Sequence, residues 1–303
     1  MDRSLLVRIL GFPATIIHGD TLVLDRWRWV KDRLPRTRNN ETLLDVGCGS
    51  GAFSIGAALR GYSPLGLSWD TVDLEKASQR AEMCNASGAR FECWDVRLLH
   101  DRKDLVGAFD VVLCLENIEH LIDDAKLMQD MAACLRPGGR LLLTTPFMHY
   151  KPITPGDMGP FSKIEDGWHV RRGYSPPMLK ELCSIAGLVP ERITYCSGYL
   201  SQKVTFLFRM LGSIHPLLAW ALTLPLRVLP PILDWLVTPA LRWPWFSICL
   251  EAYKPRYGIG DRLGEVSGNR PVGLSRSAAM PFGMAAQREI GILQDRITRA
   301  GCS

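Results

Sequence analysis

The chain is short of several features that would settle its class at once. Its nine cysteines are an odd number and include no C-x-x-C pair, which argues against a disulfide framework or a zinc ribbon. Most lie in apolar runs such as VVLCL and SICLEA, where cysteine serves as a small buried hydrophobe. The opening MDRSLLVRILGFPATIIHGD lacks the long apolar core and small-residue cleavage site of a signal peptide. With the cysteine usage, this leads us to expect a reducing, cytoplasmic setting. No segment repeats. The most apolar stretch never reaches the ~18 uncharged residues needed to cross a bilayer. Charge is also nearly balanced, at +5, and no basic stripe carries interleaved aromatics, so no nucleic-acid partner is expected.

Against these absences stands LLDVGCGSGAF, from Leu43 to Phe53, which reads as a buried strand, a glycine loop and a helix. Gly47, Gly49 and Ala52 fit the dinucleotide pattern G-x-G-x-x-A, a weak match on its own. That pattern expects an acid at the end of the second strand, where SPLGLSWD has Ser68, with Asp70 only later. Asp45, just before the loop, would repel a pyrophosphate. It suits a ligand carrying an α-amino group and a sulfonium.

Along the chain, helices and strands alternate. Residues 20–33 form a helix capped by Asp20, and a strand near 42–47 leads to a helix over 51–60. SPLGLS is a second strand, followed by a helix capped by Asp70 with Leu74, Ala77, Ala81 and Cys84 on one face. ARFECWD and FDVVLCLEN are the third and fourth strands. DDAKLMQDMAACLRPGG is a capped helix with Leu127, Met131, Cys134 and Leu135 inward, stopped by Pro137-Gly138-Gly139; RLLLTTP is the fifth strand. Such alternation gives an α/β fold with a parallel, doubly wound sheet. Asp45, Gly47, Ser68, Asp95 and Glu116 all fall at the carboxyl ends of strands, where such sheets bind ligands. After Pro146 the pattern loosens. A helix follows Ser175-Pro176 as far as Gly187, then strands near 190–197 and in FSICLEAY.

LLDVGCGSG, CWDV, FDVVLCLENIEHL and LRPGGRLLLTTP, in that order, resemble the class I S-adenosylmethionine (SAM)-dependent methyltransferases. The resemblance covers residues 41–147 well and runs more loosely through HVRRGYSPPMLKELCSIAGL. It implies a Rossmann-like seven-stranded sheet with its last strand antiparallel, made by a hairpin of 190–197 with 246–253. It implies that Asp45 and the Gly47, Cys48, Gly49 and Gly51 loop hold the amino-acid end of SAM. Asp95 takes the adenine amino group, with Val96 on one side of the ring and Leu115 on the other. The family usually has Asp or Glu where this chain has Ser68. Here Ser68 or Trp69, with or without Asp70, takes over the ribose contact, and cyclopropane-forming members also lack that acid.

ENIEH places Glu116, Glu119 and His120 on one face of a helical turn. Three roles fit: a site for a divalent metal such as Mg, a general base at His120, or a cap for the next helix. The ubiquinone-pathway O-methyltransferases, which the chain resembles, carry a similar E-x-x-E-H run and are metal-assisted. His149, after the fifth strand, is a further candidate base. WHVRRGY offers His169, Arg171, Arg172 and Tyr174 toward a phosphate or carboxylate on the acceptor, or else forms a solvated turn.

Residues 204–246 are apolar and rich in Pro, Trp and Arg, with Arg209, Arg227, Asp234 and Arg242 breaking every run. They fit peripheral membrane contact, a lipid-acceptor pocket, a helical cap over the sheet or a homodimer interface. The expected organisation is therefore an N-terminal helical cap over 1–40 and a SAM-dependent methyltransferase domain over 41–254. That domain carries an apolar helical insert at 200–245, and a largely disordered tail follows over 255–303, with a short helix near 284–299. The expected activity is methylation, at oxygen, of a small-molecule or lipid-linked acceptor, in the cytoplasm or at the inner face of the membrane. Carbon methylation of an isoprenoid and non-catalytic SAM binding at a membrane are the alternatives.

Overall fold

Three aspartates set the helix starts that position the sheet. Asp20 accepts from the Leu22 and Val23 N–H groups, Asp70 from those of Val72 and Asp73, and Asp123 from that of Lys126. The computed structural model describes residues 3–17 and 20–256. The helix expected near 284–299, and the tail from 257 on, lie outside the described residues. Helices α1 (Arg3–Leu10), α2 (Phe12–Ile17) and α3 (Thr21–Arg33) precede the sheet. Strands β1 (Thr42–Val46), β2 (Ser63–Ser68) and β3 (Arg90–Cys93) then alternate with α4 (Ala52–Ala58) and α5 (Thr71–Met83). Next come β4 (Phe109–Leu115), α6 (Asp124–Cys134), β5 (Leu135–Pro146), α7 (Pro176–Ile185) and β6 (Val189–Cys196). Helices α8 (Tyr199–Gly212), α9 (Pro216–Thr223) and α10 (Leu229–Ala240) separate β6 from β7 (Ser247–Tyr253).

The seven strands run in the order β3-β2-β1-β4-β5-β7-β6. β1 to β5 pair in parallel, and β7 runs antiparallel to both β5 and β6. This is the Rossmann-like doubly wound fold expected, last strand included. The strand order reverses between β1 and β4, so the crevice for a ligand opens outside their carboxyl ends.

Alternate residues of each strand feed opposite layers. Leu44, Val46, Val112, Cys114, Leu141 and Leu143 pack against Met128 and Met131 of α6 and Leu179 of α7. Leu43, Val111, Leu113 and Leu142 face Trp29, Val30 and Leu34 at the other side. The Trp29 indole N–H donates to Thr194 Oγ1 at 2.9 Å and so fixes α3 on β6. Leu135 departs from expectation. It is the first residue of β5, paired with Phe109, and not the last inward residue of α6. Lys254 Nζ caps the end of α6 by donating to the Ala132 and Leu135 carbonyls, and the left-handed Gly138 returns its N–H to the Lys254 carbonyl.

Leu113, fully buried at the centre of β4, and Ile122, 54% exposed, make a paired test of this core. Leu113→Ala is expected to lower the urea unfolding free energy by about 2–5 kcal/mol, and Ile122→Ala to stay within about 0.5 kcal/mol of the parent.

Candidate active site

The loop after β1 is shaped by what surrounds it. Gly47 has φ +80°, and a Cβ there would meet the Asn117 side chain at 2.5 Å. Gly51 has φ +77°, and a Cβ there would meet Ala77 at 2.7 Å and Phe91 at 2.9 Å. Only glycine fits both places. Between them, above Gly49, nothing lies within 4 Å of a Cβ, so the loop faces open space there. Cys48 is buried, and burial pushes its thiol up, so it stays protonated. Asp45, 1% exposed, accepts from Ser54 Oγ at 2.6 Å. Burial raises its pKa to about 6, although the Ser54 hydroxyl and N–H act the other way. A buried carboxylate below an open glycine cradle fits a ligand with a cationic amino-acid end.

At the β2 end, Ser68 Oγ accepts from the Asp70 N–H at 3.2 Å, while the Asp70 carboxylate is spent on capping α5. Trp69 is exposed. Asp95, after β3, caps a 3-10 turn and holds the Arg97 guanidinium through both carboxylate oxygens. An adenine amino group approaching Asp95 therefore meets an ion pair, not a free carboxylate. Val96 and Leu115 are buried on opposite layers of the sheet.

The E-x-x-E-H run does not form one α-helical face. Glu116 takes a left-handed backbone, φ +52°, and Ile118–His120 is a 3-10 turn. Glu116 Oε1 accepts from Ser247 Oγ at 3.0 Å, and its Oε2 lies 3.3 Å from Arg26 Nη1. Glu119 is fully buried: Oε2 accepts from Thr145 Oγ1 at 3.1 Å, while Oε1 has no hydrogen-bond partner. That orphaned oxygen lies 4.0 Å from His169 Nε2, and the His169 ring meets the His120 ring edge-on at 4.6 Å. Glu119, His120 and His169 can bring one donor atom each within 4.8 Å of one another. The expected trio of Glu116, Glu119 and His120 is thus replaced. Glu116 is drawn off by Arg26 and Ser247, and His169 arrives from another segment. Burial, then the Glu116 charge, pushes the Glu119 carboxyl well above its usual range. Burial, then the neighbouring His120, lowers His169 to about 4.

A cavity of about 520 Å³ opens beside this cluster. Its wall includes Arg26 and Glu116, Tyr150, Trp168 and His169, and Arg209 from α8. Of the residues expected to face an acceptor, His169 alone lines it. Arg171 is spent on Asp124 and on the Leu121 and Ile122 carbonyls. Arg172 donates to the Tyr150 carbonyl, and the buried Tyr174 hydroxyl donates to Asp124. These three build the turn instead of reading a ligand. His149 is exposed, packs on Phe147 and does not line the cavity, whereas the next residue, Tyr150, does. Arg26 and Arg209 were not foreseen. Arg26 carried a usable signal, a cation inside the apolar stripe of Leu22, Trp29 and Val30.

Comparisons with known proteins bear on the family and the fold. The family model described as a methyltransferase domain matches residues 23–191. A ubiquinone biosynthesis O-methyltransferase of Coxiella burnetii is 29% identical over 126 residues, which cover 42% of this chain and 51% of that protein. The protein of the same name from Pseudomonas paraeruginosa is 32% identical over 120 residues, 40% of this chain and 50% of that one. The chain thus spans about half the length of the curated relatives it matches. Among solved structures, the [4+2]-cyclase SpnF aligns with a TM-score of 0.53 at 18% identity, over 77% of this chain and 82% of that one. A geranyl diphosphate methyltransferase in complex with SAM aligns with a TM-score of 0.50 at 16% identity, over 76% and 84%. These two likenesses speak to the fold alone.

The raised Asp45 gives a pH test. A cationic group can pair only with the ionised carboxylate, so affinity for S-adenosylhomocysteine is expected to fall up to about tenfold per pH unit below about pH 6. Calorimetric titration between about pH 5 and pH 7 reads this, and Asp45→Asn should flatten the profile. In the unliganded fold the sign is reversed. Asp45 contributes stability that is present below the unfolded value of 3.8 and lost as pH rises through about 6.

Proposed function

The chain belongs to the methyltransferase-domain family, and we propose that it is a class I SAM-dependent methyltransferase that methylates a hydroxyl oxygen on a small-molecule or lipid-linked acceptor held in the 520 Å³ cavity. The observation that carries this reading is the buried, unpartnered Glu119 Oε1 facing His169 at the cavity wall. Bound SAM supplies an activated methyl group, and what remains for the protein is alignment, dryness and one proton. His169, neutral at physiological pH, accepts the hydroxyl proton at Nδ1 and releases the proton carried at Nε2 toward Glu119 Oε1, 4.0 Å away. The ionised form of Glu119 is the final acceptor, since burial has raised its affinity for a proton above that of His169, and the carboxyl must lose that proton again before the next turnover. The buried Tyr150 and Phe246 supply apolar wall to the cavity, which limits water around the acceptor.

A second reading has its own observation. His120 Nδ1 is also buried without a partner, so Glu119, His120 and His169 together offer a carboxylate and two imidazoles to a divalent cation. Imidazole donors favour a metal such as Zn over Mg, which prefers oxygen ligands. There the cluster would orient and acidify the hydroxyl instead of relaying its proton.

The test is methyl transfer from radiolabelled SAM into an extract of the source cell. O-methylation predicts label in an ether that survives mild alkali, whereas label on carbon contradicts the proton-relay role. Glu119→Gln is expected to reduce turnover by roughly 10²–10⁴ while leaving S-adenosylhomocysteine affinity unchanged. Loss of activity on chelation, restored by Zn, would select the metal reading over the relay.

A further inference from the structure

More than half of the large apolar side chains that stand exposed among the described residues fall between Phe206 and Leu241. They come from all three helices between β6 and β7. Phe206, Met210 and Ile214 follow one side of α8 and its end, and Leu217, Leu218 and Leu222 lie on α9. On α10, Ile232, Trp235 and Leu236 are each more than half exposed. A patch of this extent is rare on a protein surface that meets only water.

Charge narrows what can cover it. Between Tyr199 and Phe246 the sequence holds Lys203, Arg209, Arg227 and Arg242 against a single acid, Asp234. Asp234 is 6% exposed and turned inward, accepting from the Leu200 and Ser201 N–H groups and from Thr238 Oγ1. The outer face of the three helices therefore shows no carboxylate. At its edge, Lys203 Nζ sits 4.6 Å and Lys151 Nζ 4.0 Å from the centre of the Trp243 ring. Exposed Arg242 is the next residue. Lys203 stands one turn before Phe206 and two before Met210, on the same side of α8. An indole in contact with two ammonium groups, at the edge of an apolar surface, matches the boundary between acyl chains and anionic headgroups.

Depth is limited as well. Among the described residues no single helix is long and apolar enough to cross a membrane. Pro216–Thr223 and Pro225–Ala240 reach that composition only together, and they bend by 42° between them. A broken apolar pair suits lying in an interface better than spanning it.

We propose that the outer face of α8, α9 and α10 docks on a bilayer containing anionic phospholipid, with Ile232, Trp235 and Leu236 entering the acyl boundary and Lys151, Lys203 and Arg242 meeting headgroup phosphates. The proposal concerns binding alone, so its failure would leave the methyl-transfer reading standing. Arg209 of α8 also lines the acceptor cavity, which places the docked face on the helix that borders the site.

Flotation of the full chain with vesicles tests it. Phosphatidylglycerol-containing vesicles should carry the protein up the gradient, and vesicles of phosphatidylcholine alone should carry at least about tenfold less. Ile232→Glu with Trp235→Glu should abolish flotation on the anionic vesicles, with S-adenosylhomocysteine binding and circular dichroism unchanged. Lys151→Ala, Lys203→Ala and Arg242→Ala together should remove the preference for anionic lipid. Failure of the parent chain to float on either vesicle would overturn the proposal. So would equal flotation of the Glu variant, or a vesicle-free dimer that the Glu substitutions split, which would assign the face to a second copy of the chain.

Discussion

The ion pair between Arg26 and Glu116 is the contact on which the site depends. It joins the N-terminal helix α3 to the end of β4, and Glu116 also takes the hydroxyl of Ser247 at the start of β7. Three elements far apart in sequence are thereby pinned at one point of the cavity wall. Both side chains are nearly buried, at 13% and 14% exposure, so neither charge can rely on water. Breaking such a pair by removing one partner costs on the order of 3–5 kcal/mol, because the other charge is left uncompensated. Glu116 holds a left-handed backbone besides, an unfavourable conformation for a side chain of its size. Arg209 repeats the device on the far wall, joining Asp20 of the α3 cap to Asp157.

That pair also sets the electrostatics of the proposed chemistry. Glu116 is the largest charged influence raising Glu119, and Arg26 opposes it. By holding Glu116 away from Glu119 and partly neutralised, Arg26 leaves one buried carboxyl with a raised proton affinity beside two imidazoles. With Glu116 held by Arg26 and Ser247, the third donor beside Glu119 and His120 is His169.

Much of the fold was legible because its signals are local. Helix caps at Asp20, Asp70 and Asp123, buried runs such as FDVVLCL, and glycines that only left-handed turns require each depend on a few neighbouring residues. Leu135 was misplaced because the end of α6 is fixed by Lys254, more than a hundred residues on. The site was less legible for the same reason. His169 meets Glu119 from a segment without periodicity, and Arg26 and Arg209 reach the cavity from helices read only as caps or apolar surface. Arg171 and Arg172 looked like ligand-readers, since an exposed loop rich in cations is the usual place for one. In the fold they satisfy the carbonyls of Leu121, Ile122 and Tyr150.

The central claim is that the glycine cradle after β1 and the cavity behind Arg26 and Glu116 form one reaction chamber. A crystal structure with S-adenosylhomocysteine tests it most directly. The account predicts the amino-acid end of the ligand at Asp45, its body over Gly49, and its sulfur facing the cavity between Glu116 and His169. A ligand whose sulfur points away from that cavity, or whose amino group pairs with any carboxylate other than Asp45, would contradict it.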